Sequence, residues 1–152
     1  MPRPLTPADA AATAALIRTS FAGQAVDPPA SAARETAASI AAALAEGGGF
    51  GVERDGALLG VVLWQPDQGG MYLGRLAVAA TARGQGLAPR LLAAVEAEAR
   101  RRGLPRVHLK VRLPLLGNRR LFRRCGFVET TLHAHEGHDQ PTYCVMEKLL
   151  AP

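Results

Sequence analysis

The sequence predicts a single α+β domain, a mixed sheet of about six to seven strands with about four helices. Three observations carry this prediction. Strand-like and helix-like segments follow one another in the order β-α-α-β-β-β-α-β-α-β-β, so hairpins and helices are mixed instead of repeating as a parallel unit. The chain has 152 residues, a length that suits one hydrophobic core, and 48% of it is apolar. No internal repeat or low-complexity linker divides it, so residues 1–152 read as one domain.

Each element has a local reason. After a short opening strand, Thr6 can cap a helix, Pro7 suits its first position, and Asp9 completes a Thr-x-x-Asp box. That helix is expected over Pro7 to Phe21, with alanines, Leu16 and Ile17 on its buried face. Gly23 to Pro29 reads as a loop, and a second helix is expected from Ala30 to Glu46, stopped by Gly47-Gly48-Gly49. Phe50 to Arg54 and Ala57 to Gln65 flank the hairpin turn Asp55-Gly56. Pro66 to Gly70 is a further turn, and Met71 to Val78 reads as a central strand. From Gly86 to Arg102, Leu87, Leu91 and Val95 recur every four residues, with Leu92 widening the stripe. Three arginines, 100 to 102, close this helix where cations favour its dipole, and Gly103 terminates it. Arg106 to Val111 is a buried strand, Leu116 to Arg124 a short basic helix, and Phe127 to His135 and Thr142 to Leu149 the last two strands.

Composition narrows the function classes. No run approaches the ~20 apolar residues of a membrane span, and Asp9 interrupts the Ala-rich start, which lacks a signal-peptide pattern. Cys125 and Cys144 form neither a disulfide framework nor a metal pattern. The expectation is a reduced, cytoplasmic protein with no membrane partner. Of the net charge of +5, residues 83–124 contribute twelve basic side chains against two acids, and the remainder of the chain is net acidic. Such a segment suits a polyanion, a phosphorylated cofactor among them, and equally a solvated Arg-rich face. A basic nucleic-acid-binding module is the less favoured alternative, and no nucleic-acid partner is expected, because aromatic interleaving, a zinc framework and a recognised RNA motif are missing.

The chemistry concentrates where the central strand ends and the long helix begins. Arg83-Gly84-Gln85-Gly86-Leu87-Ala88-Pro89 places two glycines and an arginine at a helix N-terminus, where free amides favour an anion. No Gly-Lys-Ser/Thr follows, so this is not a nucleotide P-loop, and its glycine spacing does not fit the dinucleotide motif. Two glycines alone are also what an ordinary turn before a helix would carry.

Arg83-Gly84-Gln85-Gly86-Leu87-Ala88 resembles the Arg/Gln-x-x-Gly-x-Gly/Ala motif of the GNAT N-acetyltransferase superfamily. Leu76-Ala77-Val78 is similar to that family's strand end, and Cys125-Gly126-Phe127 to its frequent Leu-Gly-Phe. The opening Thr-Pro-Ala-Asp and the final Val145-Met146-Glu147-Lys148 extend the resemblance over nearly the whole chain. The resemblance implies a GNAT-like sheet in which two parallel strands splay apart, and acetyl-CoA as co-substrate in the gap. It implies backbone contacts from Leu76, Ala77 and Val78 to the pantetheine and thioester. The pyrophosphate would lie on the amides from Gly84 to Pro89, with Asn118 and Phe122 on the far side. Arg119, Arg120, Arg123 or Arg124 would meet the adenosine phosphate. The implied reaction is direct attack of a primary amine on the thioester. The acceptor class, whether a small molecule or a protein N-terminus or lysine, stays open, and a homodimer is compatible with the resemblance.

The sequence departs from the family at Phe122, where many members carry a Tyr that can protonate the leaving thiolate. Tyr143 and Cys125 are substitutes, although packing explains both. A thiolate is a tolerable leaving group, so acid catalysis is dispensable or supplied by water; the alternative that Phe122 suggests is a non-catalytic acyl-CoA sensor. His133 and His135 share a strand face with His138 in the loop beyond, and either of the first two could serve as a base. Their spacing closes no ligand set, so no metal is expected. His108 lies in an apolar strand and reads as structural, while Glu35 and Asp27 are candidates to contact a cationic acceptor.

Overall fold

A computed structural model describes residues 1–151. Its strands are β1 (Arg3–Pro4), β2 (Gly48–Arg54), β3 (Ala57–Asp67), β4 (Gly70–Val78), β5 (Arg106–Arg112), β6 (Val128–His133) and β7 (Tyr143–Leu149). The α-helices are α1 (Ala10–Ala22), α2 (Ala37–Glu46), α3 (Leu87–Arg101) and α4 (Leu116–Arg124). The strands form one seven-stranded sheet in the order β1-β2-β3-β4-β5-β7-β6. Every neighbouring pair is antiparallel except β4 and β5.

The two faces of the sheet bury separate cores. Ala14 and Ile17 of α1 and Ile40 of α2 pack with Val61, Leu63 and Ala77. On the opposite face Leu91, Leu92 and Val95 of α3 and Phe122 of α4 pack with Met71, Leu73, Val107, Leu109 and Met146. The alternation along β5 makes this division. Val107, Leu109 and Val111 are buried towards α3, while Lys110 and Arg112 face the side of α1 and α2. Gly60 permits α3 to sit close to β3, since a Cβ there would lie 3.1 Å from the Leu91 Cδ1 atom.

Several element boundaries differ from the sequence expectation. β3 runs through Pro66 to Asp67, which pair with Met71 and Gly70 where the sequence predicts a turn. β6 spans Val128–His133 in place of Phe127 to His135, so His135 lies in the loop beyond the strand and shares no strand face with His133. The first helix begins as a 3₁₀ turn, Pro7–Asp9, in which the Asp9 carboxylate accepts from the Thr6 amide at 2.8 Å and from both terminal nitrogens of Arg3 at 2.9 Å. The helix expected over Ala30 to Glu46 is broken. Ser31–Arg34 is a 3₁₀ turn, and α2 starts only after Thr36. Thr36 Oγ1 accepts from the Ser39 amide at 3.1 Å, and Ser39 Oγ accepts from the Thr36 amide at 2.8 Å. This reciprocal cap competes with continuation of the helix. Gly48 and Gly49 belong to β2 instead of a breaker, because Gly48 lies opposite Trp64 and a Cβ there would collide with the indole ring.

Candidate functional site

Parallel strands β4 and β5 pair only at Met71 with Val107 and Tyr72 with His108. Beyond Tyr72 they diverge, and the edge of β4 that faces β5 has no strand partner up to Val78. A bulge between the Val61–Ala77 and Leu63–Gly74 pairs bends β4 at this point. Its central residue, Arg75, takes the left-handed conformation at φ +56°. Arg75 is held there by Glu35 at 3.1 Å and by Ser31 Oγ at 3.1 Å, so the segment before α2 fixes the shape of the strand. The Ala79 amide donates to Leu59 of β3 at 2.8 Å. Backbone groups alternate along a strand, so the Val78 amide points to the opposite, unpaired edge.

The gap opens into a cleft of about 1710 Å³, above the ~300–1,000 Å³ of an ordinary small-molecule pocket, so it has room for a long ligand and a second reactant. One end of the cleft is built for an anion. Among the described residues, the amides of residues 83 to 88 donate to no protein acceptor. Gly84 and Gly86 adopt φ +78° and +77°, and a Cβ at either would meet only open space. These amides precede α3, whose dipole adds to their field. Arg83 and Arg124 line the same cleft. These free donors, flanking cations and open glycines fit a diphosphate, and the unpaired β4 edge fits an amide-bearing chain laid beside it.

The other end of the cleft is roofed by two loops that touch each other. Arg112 donates to the Pro28 carbonyl at 2.5 Å and the Pro29 carbonyl at 3.4 Å, and His138 Nε2 lies 3.6 Å from Asp27 Oδ2. Tyr72, Lys110 and Tyr143 line the floor. The Lys110 ammonium stands 6.0 Å from the Tyr72 ring centre and 5.8 Å from that of Tyr143. Burial raises the Tyr72 hydroxyl above the ordinary phenol pKa, so it stays protonated at neutral pH. His135 Nδ1 is hydrogen-bonded to Thr142 Oγ1 and its ring packs edge-on to Tyr143 at 4.9 Å. Burial first, then the charges of Arg112, His138 and Lys110, hold His135 below the ordinary imidazole pKa, so it is neutral at pH 7.

Most residues singled out from the sequence meet in this cleft. Leu76, Ala77, Val78, Arg83, Gly84, Gly86, Leu87, Ala88, Pro89, Asn118, Phe122, His135 and Tyr143 all line it. Gln85 turns its side chain away to Arg54 at 3.3 Å and the Thr81 carbonyl at 3.4 Å. His133 is off the lining, stacked on Tyr143 at 5.2 Å and hydrogen-bonded to Thr131 Oγ1 at 2.7 Å. Phe122 is buried edge-on against Phe127 at 6.0 Å. The arginines of α4 divide. Arg119 and Arg123 are taken by Glu129 at 2.8 and 2.6 Å, whereas Arg124 faces the cleft. Glu35 is occupied by Arg75, and Asp27 is exposed beside His138. His108 donates to the Asp67 carbonyl at 3.1 Å. Among the described residues no group of three His, Cys, Asp or Glu side chains is arranged to hold a metal ion, and no helix is long and apolar enough to cross a membrane. Tyr72 and Lys110 escaped the sequence reading. Their signal is positional, polar residues alternating with apolar ones on two strands whose pairing the sequence does not reveal.

The fold recurs among solved structures at low identity. A ribosomal-protein-alanine N-acetyltransferase from Brucella melitensis superposes with a TM-score of 0.77, 20% identity and 99% coverage of both chains. The yncA protein of Salmonella typhimurium, solved with its cofactor acetyl-CoA, gives 0.75 at 20% identity, over 100% of this chain and 94% of that one. A nourseothricin acetyltransferase gives 0.74 at 21% identity, over 98% and 97%. No curated protein matches the sequence. The family model described as "Acetyltransferase (GNAT) family" matches residues 15–127, from α1 through α4. On that match, the chain belongs to the GNAT acetyltransferase family.

Proposed function

We propose that the chain transfers an acetyl group from acetyl-CoA to a primary amine by direct attack. The observation that carries this reading is the continuity of two features within one cleft. The unpaired edge of β4 leads to the free amides of residues 83 to 88, and the floor bearing Tyr72 and Tyr143 lies beyond. In this reading the amides and Arg83 hold the pyrophosphate, and Asn118, Phe122 and Arg124 form the opposite wall. The Val78 amide faces the carbonyl oxygen, where negative charge develops as the amine attacks.

In the reaction the amine nitrogen bonds to the acetyl carbon as the carbon–sulfur bond breaks. The acceptor enters as an ammonium and loses two protons in all, one to the departing CoA sulfur and one to solvent. His135 is the proton acceptor this reading favours, acting through water, because it lines the cleft and is neutral at pH 7. Phe122 has no proton to give. A thiolate leaves without strong acid assistance, so water suffices as donor, with the Tyr72 and Tyr143 hydroxyls within the same cleft. The reading is tested by incubating the protein with acetyl-CoA and amines of several classes, following free thiol and the mass of the acceptor. Thiol release matched by an acetylated amine supports it. Thiol release without amine modification, or none with any class, refutes it.

A further inference from the structure

The acceptor half of the cleft carries a cation that the fold itself does not use. Lys110 points from β5 into the open cleft between the Tyr72 and Tyr143 rings. Among the described residues its ammonium makes no hydrogen bond and no ion pair. The other charges nearby are committed. Arg75 is closed by Glu35, and Arg112 ties down the Pro28 and Pro29 carbonyls. Directly across the strand pair, Lys110 faces Val145, which offers no acid. Glu136 also lines the cleft, but it is exposed on the loop between β6 and β7.

Resting on the transferase reading above, we infer that Lys110 is the specificity residue for an acceptor amine that bears its own oxyanion, a carboxylate or a phosphate. An oxyanion on the acceptor would complete a charge-assisted hydrogen bond to the unengaged ammonium, with Arg112 adding attraction at longer range. The ammonium stands at the outer limit of cation–π contact with both rings, which leaves its hydrogen-bond donors available to an anion. A second cation on the acceptor would instead be repelled by Lys110 and Arg112. Glu136 is the only carboxylate on the lining without an ion-pair partner among the described residues, and it would have to dominate for a dicationic acceptor to be preferred.

The test compares four amines of matched chain length, ending in a carboxylate, a phosphate, a neutral amide or a second amine. Transfer from acetyl-CoA is measured with the wild type and with Lys110→Gln, Lys110→Arg and Lys110→Glu. The acetyl-CoA-dependent rise in melting temperature confirms that each variant is folded. The wild type should favour the carboxylate or the phosphate over the amide by at least ~10-fold in kcat/KM, about 1.4 kcal/mol. Whichever of the two oxyanions is preferred identifies the group. Lys110→Gln should bring that ratio to within about threefold of unity, Lys110→Arg should keep it, and Lys110→Glu should reverse it in favour of the diamine. Equal use of the amide, preference for the diamine, or a ratio unmoved in Lys110→Gln overturns the inference while leaving acetyl transfer intact. Absence of transfer to all four amines, with acetyl-CoA still raising the melting temperature, overturns the inference, whereas absence of transfer to amines of every class overturns the transferase reading on which it rests.

Discussion

Replacing Gly86 by glutamate tests the anion cradle with opposed controls. Gly86 sits at φ +77° immediately before α3, and a Cβ there meets nothing within 4 Å. The substitution therefore causes no clash, but holding a non-glycine residue in the left-handed region costs about 1–2 kcal/mol of stability. Its effect on CoA binding is separate. A carboxylate ~5 Å from a phosphate charge is repelled by about 3 kcal/mol at an effective dielectric of ~20. Gly86 is exposed, so salt and solvent reduce this to about 1.4–2.5 kcal/mol, a loss of ~10- to 70-fold in affinity. Gly86→Asn tolerates the same backbone conformation and adds no charge, so its loss should stay within about fivefold. Calorimetric titration of CoA into both variants, each shown to be folded by melting, reads the difference. The gap between them should narrow as salt rises. Equal affinities for the two variants would show that no anion sits at this turn.

Further outcomes follow from the same geometry. Acetyl-CoA at ~100 times its dissociation constant should add about 2.7 kcal/mol, raising the melting temperature by ~5–10 °C, and ATP at equal concentration should do far less. Phe122→Tyr should change turnover by less than about threefold, and Tyr143→Phe should cost less than about fivefold in steady-state assays. A loss near a hundredfold in Tyr143→Phe would make that hydroxyl the acid. For the pH dependence of kcat/KM, the neutral form of His135 is the active one and its pKa is lowered. Activity should hold through the ordinary imidazole range near 6.5 and fall only as pH drops below it. His135→Gln should lose that acid limb and at least ~10-fold of the plateau, and an unchanged limb would exclude His135.

The legible part of this protein is the part encoded locally. The stripe of Leu87, Leu91 and Val95 announces α3, and the Thr6 to Asp9 box announces the first helical turn, because both signals lie within a few residues of what they specify. Arg83 to Pro89 was readable for the same reason, since a glycine turn and the helix it opens are contiguous. The break before α2 was also written locally, as Thr36 and Ser39, but an unbroken Ala-rich pattern outweighed it. Pairings distant in sequence were not readable. Nothing around Arg75 announces that it will sit in a bulge held by Glu35, forty residues away in the chain. The family resemblance implied that two parallel strands separate, but nothing around Lys110 tells that it stands beside that gap, facing a cleft instead of a neighbouring strand. Phe122 could be noticed as a departure from the family, but its packing against Phe127 needed the fold.

The most direct test of the account is a backbone amide NMR titration with acetyl-CoA. The amides of residues 83 to 88, which have no acceptor in the protein, should shift furthest, together with Val78 on the open edge of β4. Residues Gly48 to Val52 of β2, none of which lines the cleft, should stay in place. Saturating shifts at this turn and strand edge are expected if CoA lies along them. Shifts confined to other surfaces, with residues 83 to 88 unmoved, would contradict it.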